Sequence, residues 1–248
     1  MSWNIRAFEL AVRERHGNCI ADALHEPLQA IFWKFQMSHF HACESLRILN
    51  EVIREFERIE EGEPDHIAAG RLILQAASKH PQAPNLSEAR FQAEAHMIAA
   101  SQALHSTADI MAHAVYWALN LPSLPEPPNL DTLNLGVMLR QLRRLQVAES
   151  VRVAMENVED LSEFIYLNAY VNTTKHRSLV KANFTAHLDP NDNPQQGMLI
   201  KPFEHKGRQF SEKWAKQFLF EEKKRVAEAV VNIGYAVDAY IGEDNSIG

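Results

Sequence analysis

Glycine and cysteine are both scarce in this chain: nine glycines and two cysteines in 248 residues. There is no Gly-rich phosphate loop, Gly-x-Ser-x-Gly elbow, His-Glu-x-x-His or Cys-x-x-Cys, so the enzyme classes that announce themselves by short motifs are not signalled. Cys19 and Cys43 are separated by 23 residues, a spacing that fits no zinc or redox pattern. They read as two ordinary buried thiols in a reducing compartment. No apolar run approaches the roughly 18 residues a membrane span needs. The start, Met1-Ser2-Trp3-Asn4, lacks the basic and apolar segments of a secretory signal, so the expected address is the cytoplasm, with no membrane partner. Nor is there a Lys/Arg block. The formal charge is -7, with both signs interleaved, and composition gives no general argument for binding a phosphate backbone.

What remains is the make-up of a globular protein: 46% hydrophobic and 23% charged residues, and enough length for a sizeable core. The eleven prolines divide the chain. They fall where turns, loops or helix starts can be read and leave long proline-free stretches at 28–63, 85–121, 129–189 and 203–248. A proline inside a helix costs about 3 kcal/mol, so these stretches are where long helices are expected.

Periodicity agrees. Leu28, Ile31, Phe32, Phe35, Leu46, Leu49, Ile53 and Phe56 recur at helical spacing between Ala23 and Glu60. Pro64 suits the first turn of a further helix ending at His80-Pro81, and Ser87 can cap a long one reaching Asn120. The proline-rich stretch 122–130 reads as a loop, or as the boundary of a subdivision within one helical domain covering 1–248. Leu135 to Val158 and Leu161 to Arg177 read as two helices. Partial alternation around a polar turn then predicts two short strands within about 178–204, and a last helix runs from about Ser211 to Tyr240. The expected fold is mainly all-α, an up-and-down helical bundle with one small β-hairpin before the C-terminal helix.

Three constellations carry potential chemistry. His105-x3-Asp109-x3-His113 lines one helical face, where it could ligate a metal, as could His39, His41 and Glu44, or act as a polar stripe. Asn168 and Asn172 lie one turn apart, ahead of Lys175, His176 and Arg177. Asparagine is unfavourable inside helices, so both amides are expected to have fixed partners, in a structural network or a pocket. The last is Arg90-x5-His96.

Tyr166-Leu-Asn-Ala-Tyr-Val-Asn-Thr-Thr-Lys-His-Arg-Ser-Leu-Val resembles the Asn-x-x-Lys-His-Arg element of some helical proteins of the HEPN-like superfamily. Ala99-Ala-Ser-Gln-Ala-Leu-His-Ser-Thr-Ala-Asp-Ile is similar to the helix that packs against that element, and the likeness covers residues 87 to 242. It implies a helical bundle that dimerises, works in toxin–antitoxin or phage-defence settings and, in some members, cleaves RNA. Ribonuclease members carry an Arg-x4-6-His pair. Arg90 and His96 match that spacing, but Phe91 stands where a polar residue often follows, and chance alone gives about two such pairs in a chain with this many arginines and histidines.

The candidate catalytic cluster is therefore His176, Lys175, Arg177, Asn172, His105 and Asp109: cations to hold a phosphate and a histidine to move protons. No cofactor and no metal is assigned to it. The expected partners are a second copy of the chain and RNA. A non-catalytic dimeric scaffold is the alternative, for which an exposed apolar helix face would be the sign, and a bundle-type metal-dependent enzyme is a further one.

Overall fold

The computed structural model describes residues 3–59, 86–176, 179–187 and 195–243. Seven α-helices lie among them: α1 (Ile5–His16), α2 (Asn18–Ile59), α3 (Leu86–Ala118), α4 (Leu135–Leu145), α5 (Glu149–Glu159), α6 (Ser162–His176) and α7 (Lys223–Gly242). Five short strands come between α6 and α7. The fold is thus mainly α-helical with a small β region ahead of the last helix, as the periodicity predicts. No described helix is long and apolar enough to cross a membrane. The helix expected between Pro64 and His80 lies outside the described residues.

The chain divides into two compact units, each built from separated segments. The first comprises Met1–Met37, Ala103–Asn168 and Lys223–Gly248; the second comprises Ser38–Gln102 and Ala169–Glu222. The proline-rich stretch 122–130 falls inside the first unit, where a 3-10 turn at Leu121–Ser123 opens it.

In the first unit, α1 starts where the Asn4 side chain accepts the Ala7 N–H at 3.1 Å, and stops at Gly17, whose φ of 86° suits glycine. Phe8 and Val12 bury its apolar face, and α1 packs on α7. Leu24, Leu28 and Ile31 of α2 are buried at helical spacing, whereas Phe32, one of the periodic apolar positions, points to solvent. Pro27 lies inside α2 rather than in a turn or at a helix start. It lacks the N–H that would bond Ala23, and the helix runs on regardless. Met138, Leu139 and Leu142 of α4, Val151, Met155 and Val158 of α5, and Val226, Val230 and Ile233 of α7 complete this core.

The expected single helix from Leu135 to Val158 is two helices. Gln146 and Ala148 take left-handed conformations (φ 54° and 49°), which turn the chain so that α5 packs back on α4 and lies along α7. That conformation costs an L-residue about 1–2 kcal/mol. The buried faces of α4 and α5 offset it.

In the second unit, β1 (Ala182–His187) pairs antiparallel with β2 (Gln195–Ile200), in register from Ala182↔Ile200 to His187↔Gln195. These are the two expected strands. Three more were not expected. β3 (Phe203–His205) and β4 (Arg208–Phe210) form a tight hairpin, closed by Lys206 and Gly207, both at positive φ, the conformation of a two-residue primed turn. β5 (Lys213–Trp214) adds to the other side of β2, where a helix was expected from Ser211. A π-helical turn, Gln217–Glu222, precedes α7. Phe203 and Phe210 stack with centroids 5.1 Å apart, and Tyr170 meets Phe203 and Phe218 edge-on. Cys19 and Cys43 are free thiols but exposed, so the expectation that they are buried is corrected. Both lie on α2, on positions that its buried stripe does not use.

Candidate functional site

His105 and Asp109, one turn apart on α3, belong to the first unit, and each has a defined partner. His105 Nε2 donates to Asn168 Oδ1 at 2.9 Å, and its ring stacks on Phe164 with planes 6° apart. One of the two unusual helix asparagines is thereby explained. Asp109 Oδ1 accepts the backbone N–H of Leu135 at 3.1 Å, and the Asn134 side chain accepts that of Val137 at 3.0 Å. Together they satisfy donors in the first turn of α4 that have no partner within the helix. A carboxylate there also suits the positive end of the helix dipole. His113 is half-buried. Among the described residues no group of three or more His, Cys, Asp or Glu side chains is arranged to hold a metal ion, so the His105–Asp109–His113 stripe does not form one.

Asn172, Lys175 and His176 belong to the second unit. Asn172 is half-buried on α6, while Lys175 and His176 stand exposed in its last turn, where cations oppose the negative end of the helix dipole. Arg177 lies outside the described residues. Close by on α6, Thr173 Oγ1 and His205 Nδ1 are 3.2 Å apart, which ties the helix to β3.

A second cluster in this unit was not recognised as a cluster from the sequence. His41 on α2 and His96 on α3 face each other through their Nδ1 atoms at 2.8 Å, with ring centroids 5.1 Å apart. Phe40 packs edge-on against both rings. At this distance one Nδ1 donates its N–H and the other accepts it on its lone pair. Burial and then the neighbouring His96 lower the proton affinity of His41, with the Glu44 carboxylate pulling the other way. Glu44 accepts two hydrogen bonds from Arg47, at 2.9 and 2.8 Å, which hold its carboxyl below the usual range. Arg47 also reaches Glu51 at 2.7 Å, and with Cys43, Leu46, Asn50 and Phe220 it lines a shallow surface cleft. His41, Glu44 and His96 each stand out in the sequence, but the pairing joins residues 55 apart, and no local spacing encodes that.

The chain matches no protein-family model, no curated protein and no solved structure.

Proposed function

We propose that the protein is a non-catalytic, self-associating helical interaction module that dimerises through the exposed face of α2. The observation that carries this reading is the exposure of Phe32, Trp33 and Met37, at 48%, 61% and 44%. Trp33 and Met37 are one turn apart, with Phe32 beside Trp33, so the three make one patch on the helix. From Leu28 to Cys43 the chain has one formally charged residue, Lys34. Aromatic residues and methionine with few charges are the composition of the buried centre of protein interfaces. A patch of this kind on one helix suits a two-fold contact in which the same surface serves both chains. Asp109 and His105 are already engaged with Leu135 and Asn168, which fits a structural use of these polar residues.

The test is light scattering coupled to size exclusion. The expected mass is that of two chains, falling to one in the Trp33→Ala/Met37→Ala variant. A wild-type chain that stays monomeric at all concentrations overturns the reading.

The likeness of residues 87 to 242 to HEPN-like proteins supports a second reading, in which RNA is the partner and His176 with Lys175 acts on it. The exposure of both side chains at the end of α6 favours it. RNA cleavage by the wild type, lost in a folded His176→Ala variant, is its expected outcome. An inactive wild type, or an active variant, rules it out.

A further inference from the structure

We propose that His41 and His96 form a two-imidazole site for a divalent transition-metal ion, of the nickel or copper type. The site is distinct from the α2 patch, and its test does not depend on self-association. Two imidazole nitrogens from different helices of one compact unit already point at each other at 2.8 Å. Metal–nitrogen bonds to histidine are about 2.0–2.1 Å long, so two nitrogens about 2.8–3.0 Å apart subtend a right angle at a shared ion. A tetrahedral ion would need them about 3.3 Å apart. The spacing therefore fits the square-planar or octahedral geometry of Cu2+ and Ni2+ better than tetrahedral Zn2+, and imidazole is a ligand suited to both ions.

Binding requires both Nδ1 lone pairs to face the ion. The ring that now carries its hydrogen on Nδ1 moves it to Nε2, and no proton is lost overall. With a right angle at the ion, each Nδ1 lone pair points about 45° off the line joining the nitrogens, so both rings turn and the ion sits beside that line. Phe40, packed edge-on against both rings, limits how far they can turn. Glu44, one turn beyond His41 and with its charge felt by both rings, is an anionic candidate for a third ligand once it releases Arg47; water supplies the remaining positions. No three side chains are pre-arranged as ligands among the described residues, so the site is a two-nitrogen one that the ion completes with solvent. His39 and Cys43, with Sγ 3.7 Å from His39 Nε2, are the competing pair on the same helix and provide the control.

The experiment titrates the full chain, stripped with chelator, with NiCl2 in a calorimeter. The expected result is one Ni2+ per chain, with affinity reduced about tenfold or more in His41→Ala and in His96→Ala. His39→Ala and Cys43→Ser should leave it unchanged. No saturable binding overturns the proposal, as does binding that survives both of the first two variants or disappears with His39. Because either imidazole variant could disturb the contact between α2 and α3, the wild-type protein loaded with one equivalent of Cu2+ is also read by electron paramagnetic resonance. Coupling to two imidazole nitrogens is expected, and coupling to one or none overturns the site.

Discussion

The indole of Trp3 packs so tightly over Gly234 of α7 that a β-carbon at position 234 would lie 2.7 Å from ring atom Cη2. Trp3 also meets Phe8 of α1, at 5.4 Å between centroids, so one side chain ties the start of the chain to both its first and its last helix. Gly234→Ala is therefore expected to destabilise the protein, even though alanine is the better helix former by about 1 kcal/mol. Overpacking of this kind costs about 1–3 kcal/mol. Thermal unfolding should show a lower midpoint for Gly234→Ala. The Trp3→Ala/Gly234→Ala double variant should be no less stable than Trp3→Ala alone. If Gly234→Ala raises the midpoint in the wild-type background, the indole does not occupy this place.

Asp109 is expected to matter for stability. With its carboxylate gone, the Leu135 N–H at the start of α4 loses its acceptor. Capping losses are about 1 kcal/mol. Asp109→Ala should lower stability by that order in chemical denaturation. Asp109→Asn, which keeps an acceptor oxygen, should lower it less. Equal losses would mean that the carbonyl geometry is not what matters.

The helices α2 and α3 are legible in the sequence because their apolar residues repeat at helical spacing over many turns and proline is kept out of most of their length. The division of 135–159 into two helices is not. It depends on Gln146 and Ala148, residue types that give no warning of a left-handed conformation, and it is stabilised by packing against α7, about 80 residues away in sequence. The β3–β4 hairpin left a faint signal in Lys206-Gly207, but its strands have only three residues each, too few for alternation to register. Among the site residues, the demand for partners of the helix asparagines could be read, and Asn168 has His105. That His41 should meet His96 could not, because the encounter is set by how α2 and α3 pack in the second unit. The exposure of Phe32 could not be read for the opposite reason: apolar residues at helical spacing signal a core without saying which of them the fold covers.

Lys213 of β5 and Glu222 of the π-helical turn form an ion pair at 2.6 Å, with side chains only 18% and 9% exposed. Taking the lysine away leaves the Glu222 carboxylate largely out of water, which costs about 3–5 kcal/mol for a fully buried pair and somewhat less here. Lys213→Met should destabilise strongly. Replacing both together, Lys213→Met/Glu222→Leu, should recover most of the loss, since apolar residues can fill the same space without a desolvation penalty. A double variant no more stable than Lys213→Met in urea denaturation would show that the stranded Glu222 carboxylate is not the source of the loss.

Acid should act through Glu163. Burial alone would raise the proton affinity of its carboxyl. The Arg225 guanidinium at 2.6 Å and the Ser162 hydroxyl at 2.8 Å more than offset that and hold it below the usual value. The sign follows from which state takes up the proton first. As pH falls, the unfolded chain protonates this group near its ordinary value of about 4.3, before the folded chain does. The stabilising contribution is thus complete above that value and is lost as pH drops through the lower folded value. Glu163→Gln has no proton to gain, so its stability should fall less steeply between about pH 5 and pH 3 than that of the wild type, the remaining carboxylates being common to both. The check is a set of urea unfolding curves at closely spaced pH values. Parallel losses in the two proteins would place the acid sensitivity elsewhere, and a steeper loss in Glu163→Gln would reverse the sign assigned to the Arg225 interaction.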